Sequence, residues 1–144
     1  MIVVDTNLLV YAHRAGCPEH SAGRSAIQRA ARVPGGWGIA LPSLTEFWMV
    51  VTHPSSAGGP STPEQAGAFL TALFETGRPS ILCAGPALGL RLVRLAVDLG
   101  VSGPRIFDLQ IGLIALEGGA DVLWTHDKGF VAVPGLRLED PIAA

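Results

Sequence analysis

Basic side chains are few in this sequence, and long apolar runs are missing altogether. Lys and Arg total 10 in 144 residues, and charged residues of both signs make up only 15%. A chain so poor in charge and 49% hydrophobic carries enough apolar surface to collapse, which excludes a disordered polypeptide. No apolar stretch approaches the ~20 residues that span a bilayer. No basic segment precedes an apolar one at the N-terminus, so neither a membrane anchor nor a cleaved signal is expected. Cysteine is nearly absent: Cys17 and Cys83 lie far apart, without metal-ligand spacing. Free, buried thiols in a cytoplasmic protein are the expectation. The length suits one domain spanning 1–144, and neither a repeat nor a second domain is visible.

What is present alternates regularly. Ile2-Val3-Val4 is β-branched and reads as a buried strand, after which Thr6 or Asn7 is placed to cap a helix through Ala12. Residues 19–31 read as a helix, 37–40 as a strand, and Pro42-Ser43 opens a helix that carries Glu46. Residues 53–61 form the one long loop, expected to be mobile because it has nothing to bury. Thr62-Pro63-Glu64-Gln65 is a capping box with Pro at the first helical position, predicting a helix to about Thr76. A third strand covers 80–83. Pro86 then opens a helix with Leu88, Leu92, Leu95 and Leu99 on one face and Arg91, Arg94 and Asp98 on the other. A helix carrying Asp108, a strand over 122–125 and a short edge strand at 136–138 complete the chain. The alternation predicts an α/β fold with a mostly parallel sheet. Trp48 is expected in the core. Trp37 and Trp124 are expected to pack, with a stacking surface for RNA bases as the alternative, and His126 to lie at the surface or pack.

Four acids stand apart from the other carboxylates. Asp5 follows Ile-Val-Val, Glu46 lies within Leu44-Thr45-Glu46-Phe47-Trp48, Asp108 within Ile106-Phe107-Asp108-Leu109, and Asp127 follows Val122-Leu123-Trp124-Thr125-His126. A half-buried carboxylate without a partner costs several kcal/mol, yet only Arg105 and Lys128 lie near any of the four in sequence. Strand ends and helix starts point to the same crest of a parallel sheet, where ligands bind. Carboxylates gathered there without basic partners call for a cation from outside. The formal net charge of −2 is neutral evidence on nucleic-acid binding: setting these four aside leaves eight acids against 10 Lys and Arg, and metal ions among the four would remove the remaining objection. Arg105, one turn before Asp108, is placed either to meet a phosphate or to pair with Asp108. Gly112, one turn after it, is expected to leave space beside the carboxylate.

The segment Asp5-Thr6-Asn7-Leu8-Leu9-Val10-Tyr11-Ala12, the isolated Glu46, Asp108 at a helix start and Leu123-Trp124-Thr125-His126-Asp127-Lys128-Gly129-Phe130 together resemble a PIN domain. More narrowly, the chain resembles the VapC toxins of bacterial VapBC toxin–antitoxin pairs, and the likeness runs nearly end to end. The resemblance implies a PIN-like three-layer fold with a four- to five-stranded sheet, a metal-dependent endoribonuclease, inhibition by a cognate VapB-type antitoxin, and a homodimer. Leu109 stands where the family usually has Ala, and residues 54–60 are unusually rich in Gly and Pro. Both departures bear on substrate choice rather than on the acids.

The chemistry of phosphodiester hydrolysis fits the four acids. Mg²⁺ or Mn²⁺ on carboxylate oxygens lowers the pKa of water and stabilises charge on phosphoryl oxygens. Asp5 and Asp108 are the expected principal ligands, Asp127 the holder of a second ion or of a water on the first, and Glu46 the base or orienting group for the attacking water. Thr6, Asn7, Thr125, Arg105 and Lys128 are candidates to fix the carboxylates or contact RNA. A homodimer is expected through the helices at 63–76 and 87–99, because a small core does not readily hide 49% hydrophobic residues. A haloacid-dehalogenase-like phosphatase would also open on a strand and Asp, but needs a second Asp where this chain has Asn7. A non-catalytic PIN-like RNA-binding module would ordinarily have lost one of the acids.

Overall fold

The computed structural model describes residues 1–143. The central strand β1 (Ile2–Val4) pairs in parallel with β2 (Trp37–Ala40) on one side and with β4 (Val122–Trp124) on the other. Strands β3 (Ser80–Leu82) and β5 (Arg137–Glu139) form the edges, giving an all-parallel sheet in the order β3-β2-β1-β4-β5. Side chains alternate across a strand, and here both faces are covered. Ile2, Val4, Trp37, Ile39 and Trp124 pack under α1 (Thr6–His13), α2 (His20–Ala30), α3 (Leu41–Thr52) and α4 (Pro63–Gly77). Val3, Ala40 and Leu123 pack under α5 (Leu88–Leu99) and α6 (Ile106–Glu117) on the opposite side. Burial from both faces explains why strands of three or four residues read as continuous apolar runs.

The chain leaves β1 towards β2 and β3, then crosses back to β4 and β5 on the other flank. Strand order therefore reverses between β1 and β4, and a crevice opens beyond their carboxyl ends. Asp5 ends β1, the segment from Thr125 to Asp127 leaves β4, and α3 follows β2 without an intervening residue.

Several local expectations shift. Asp5, rather than Thr6 or Asn7, caps α1, its carboxylate accepting the Thr6 backbone N–H. The helix expected from Pro86 begins at Leu88, and the last strand runs one residue later than expected. The capping box at Thr62 forms with both reciprocal hydrogen bonds. Trp48 is 39% exposed, because it lies on the side of α3 turned away from Phe47 and Val51. Trp37 and Trp124 are buried and unavailable for stacking on RNA. Leu99, expected on the inner face of α5, is exposed, as is Cys83. The loop at 53–61 has little to bury but is held by polar contacts. Arg14 donates to the Ala57 carbonyl and the Ser56 hydroxyl, and His13 hydrogen-bonds Ser61.

Gly112 leaves no space beside Asp108. A Cβ there would lie 2.6 Å from Val133 Cγ2, so the missing side chain lets the segment after β4 lie against α6. Gly112→Ala should therefore destabilise the protein by about 1–3 kcal/mol through overpacking. Val133→Ala in the same chain should return part of that loss, measured as denaturant midpoints for the single and double variants.

Candidate active site

Burial puts Asp5 at the centre of a polar circuit. Its Oδ1 accepts the Thr6 N–H at 2.8 Å and its Oδ2 accepts the Thr125 hydroxyl at 2.7 Å. The Asn7 amide nitrogen spans Asp5 Oδ2 at 3.5 Å and Thr125 Oγ1 at 3.1 Å, while Asn7 Oδ1 accepts the His126 N–H at 3.4 Å. Thr6 turns its hydroxyl to Glu46 Oε2 at 3.3 Å. The Asp127 N–H donates to Thr125 Oγ1 at 3.1 Å, so the same threonine ties the Asp5 carboxylate to the backbone of Asp127. Asn7 thus serves as an amide clamp rather than a second carboxylate, which argues against the phosphatase reading.

Asp108 and Asp127 are joined by a cation. Arg105 Nη1 donates to Asp108 Oδ2 at 3.1 Å and to Asp127 Oδ2 at 2.6 Å. Asp108 Oδ2 also accepts the Val131 N–H at 3.1 Å, and Asp127 Oδ1 the Gly129 N–H at 2.8 Å. Of the two sequence-based options for Arg105, the ion pair forms, and it reaches Asp127 as well. Lys128 is exposed and has no ion-pair partner among the described residues. Sequence reasoning missed the Val131 N–H, which any residue type except proline supplies, and the use of Gly129 as a place for Arg105. It also missed a groove of about 580 Å³ beside Glu46 and Asp108, walled by Leu41, Pro42, Met49 and Phe107. Phe107 is exposed there, although its run of apolar neighbours reads as core.

The electrostatics divide the cluster. Burial pushes the Asp5 carboxyl up to about 6, against the lowering effect of the Thr125 and Thr6 hydrogen bonds and with the help of the Glu46 and Asp108 charges. Burial also raises Glu46, a rise reinforced by Asp108. Asp127 is lowered, chiefly by its hydrogen bond from Arg105. Carboxylate oxygens are the donors that hard divalent cations prefer, and the unneutralised Asp5–Glu46 side fits such an ion. Among the described residues no three His, Cys, Asp or Glu side chains already form a closed cage.

The raised Asp5 pKa sets a pH dependence. With a folded value near 6 and an ordinary value of 3.8, stability from this group is fully present below about pH 4 and lost as pH rises through 6. In EDTA, Asp5→Asn should therefore match wild type near pH 4 and exceed it above pH 6, by an amount on the order of 2 kcal/mol. Denaturant melts of both proteins across that range check the crossing.

The family model for the PIN domain matches residues 2–136. Over 142 residues the chain is 32% identical to ribonuclease VapC43 of Mycobacterium tuberculosis, covering 99% of this chain and 96% of that protein. Ribonuclease VapC48 of the same organism is 28% identical over 141 residues, covering 96% of each. The solved VapBC2 of Rickettsia felis, bound to a DNA fragment from their promoter, superposes with a TM-score of 0.68 at 21% identity, covering 97% of this chain and 98% of that one. Mycobacterium tuberculosis VapC20, a sarcin–ricin loop cleaving toxin, gives 0.68 at 17% identity, covering 95% and 99%. At these identities the structural likeness concerns the fold. The match along the sequence goes further, and the chain belongs to the PIN-domain family, in its VapC ribonuclease branch.

Proposed function

We propose that this chain, acting as one PIN domain, is a Mg²⁺- or Mn²⁺-dependent endoribonuclease, the toxin of a VapBC-type module. The observation that carries the reading is the buried Asp5 carboxylate, tied through Thr125 to Asp127 and facing the charges of Glu46 and Asp108 with no basic partner of its own among the described residues. Asp5, Asp108 and Asp127 would hold the metal. When bound, it supplies positive charge to the phosphoryl oxygens and acidity to the attacking water.

The chain's own groups do the rest. Thr125 and Asn7 fix Asp5 Oδ2, so the carboxylate is oriented before substrate arrives. Glu46, with its raised pKa and its Oε2 held by Thr6, takes the proton of the attacking water. The apolar groove beside Glu46 and Asp108 receives the RNA next to the scissile bond, and exposed Lys128 offers a flexible charge to the phosphate backbone. The ribonuclease names of the relatives and the toxin–antitoxin complexes among the structural neighbours support an RNA substrate and a VapB-type antitoxin partner. Their meeting place would be the cytoplasm. Among the described residues no helix is long and apolar enough to cross a membrane.

A second copy of the chain covers the outer face of α5 in this reading. Leu90, Val93 and Val97 are 58%, 61% and 76% exposed and follow a helical stripe, and Phe74 of α4 is exposed as well. Such a stripe is costly to leave in water.

Asp5→Asn and Asp108→Asn should each lower cleavage of a structured RNA by roughly two orders of magnitude or more while preserving the fold by circular dichroism. EDTA should silence wild type and Mn²⁺ restore it; cleavage that ignores EDTA would reject the metal assignment. Light scattering at micromolar concentration should give twice the chain mass for wild type and the single mass for Val93→Glu. A monomeric wild type would remove α5 as the interface.

A further inference from the structure

The guanidinium of Arg105 already occupies the oxygens that a cation would need. Its contacts fall on Oδ2 of Asp108 and Oδ2 of Asp127, linking the start of α6 to the loop after β4. Backbone N–H groups of Val131 and Gly129 hold the same two carboxylates. The acids therefore keep main-chain partners that do not depend on Arg105. Its place is kept by the absence of a side chain: a Cβ on Gly129 would stand 2.4 Å from Arg105 Nη2 and 3.2 Å from Cζ. Gly129 is not among the glycines with positive φ, so space for the arginine, rather than backbone conformation, accounts for it.

The counter-charge is incomplete. Asp5 and Glu46 have hydroxyl, amide and backbone partners but no basic side chain among the described residues. A divalent ion shared between Asp5 and the Asp108–Asp127 pair would satisfy both halves, which a monovalent guanidinium on one side does not. The arginine is also free to leave, since its side chain is 45% exposed and roots in the short turn before α6.

We propose that Arg105 is a built-in counter-ion that the metal must displace: it keeps Asp108 and Asp127 together in the metal-free protein and swings out when a divalent cation takes their oxygens. The inference rests on the metal-dependent reading above. It predicts that wild type binds metal more weakly than its carboxylates alone would allow, because each binding event also breaks the Arg105 contacts. In the metal-free protein Asp108 and Asp127 would be protected from their mutual repulsion, while Asp5 and Glu46 would not.

The test is a Mn²⁺ titration of the full chain followed by electron paramagnetic resonance. Arg105→Gln removes the competitor's charge, and Arg105→Ala removes the side chain altogether. Both should bind Mn²⁺ roughly threefold or more tightly than wild type. Arg105→Gln should also melt lower than wild type in EDTA, with the gap closing at saturating Mn²⁺. Unchanged or weaker Mn²⁺ binding by Arg105→Gln, with wild type binding normally, would overturn the displacement and leave the metal reading intact. Failure of wild type and both variants to bind Mn²⁺ would instead remove the metal reading, and the displacement with it.

Discussion

The polar network joining the ends of β1 and β4 is built on one buried carboxylate at the end of the central strand. Asp5 terminates β1, caps α1 and accepts the Thr125 hydroxyl from the end of β4. The backbone repeats the join, since the Asp5 N–H donates to the Trp124 carbonyl at 2.9 Å. A carboxylate buried this deeply is unfavourable unless it is paired or protonated. Its neighbours are arranged to hold it in position without neutralising it. Thr6, Asn7 and Thr125 supply dipoles, and the charges it faces from Glu46 and Asp108 are of its own sign. A fold under selection for stability alone would place an apolar residue here, so the cost points to chemistry.

The topology explains how a short chain gathers these groups. Asp5 and Thr125 come from neighbouring parallel strands, and Glu46 from the helix that β2 enters directly. Asp108 stands in the first turn of α6, which packs beneath the sheet through Leu109, Ile111 and Ile114. The family's usual Ala after this acid is replaced by Leu109, which is fully buried. That departure concerns the packing of α6 and leaves the carboxylate side of the helix unaltered.

The sequence made the strands, the helix order and the four acids legible because each depends on neighbours in sequence. β-branched runs mark strands, and the Thr62 box marks a helix start through residues three apart. What it hid depends on residues that are distant. Arg105 meets Asp127 across 22 positions, so one ion pair was visible and the second was not. Trp48 sits among apolar neighbours on α3, yet only the Phe47–Val51 side meets the sheet. Gly112 reads as space near a carboxylate until Val133 is seen against it. The outer stripe of α5, Leu90, Val93 and Val97, has helical spacing of its own, but only the packing shows that the sheet takes Leu88, Leu92 and Leu95 and leaves this one exposed.

Charge scarcity links the site to the rest of the molecule. Arg14 is committed to the loop at 53–61, Arg29 to the Pro141 carbonyl and the Trp124 ring, and Arg91 to Glu117. None of these three arginines pairs with any of the four acids; Arg14 and Arg29 act as long hydrogen-bonding struts to backbone carbonyls. Among the described residues only Arg105 pairs with any of the four acids, and it reaches two. An arrangement that spends its arginines on loops and leaves its most buried carboxylate facing like charge is stable only because hydroxyls and an amide hold that carboxylate in register. The same arrangement leaves the crevice with a standing demand for positive charge, which a cation bound from solution meets without any change of fold.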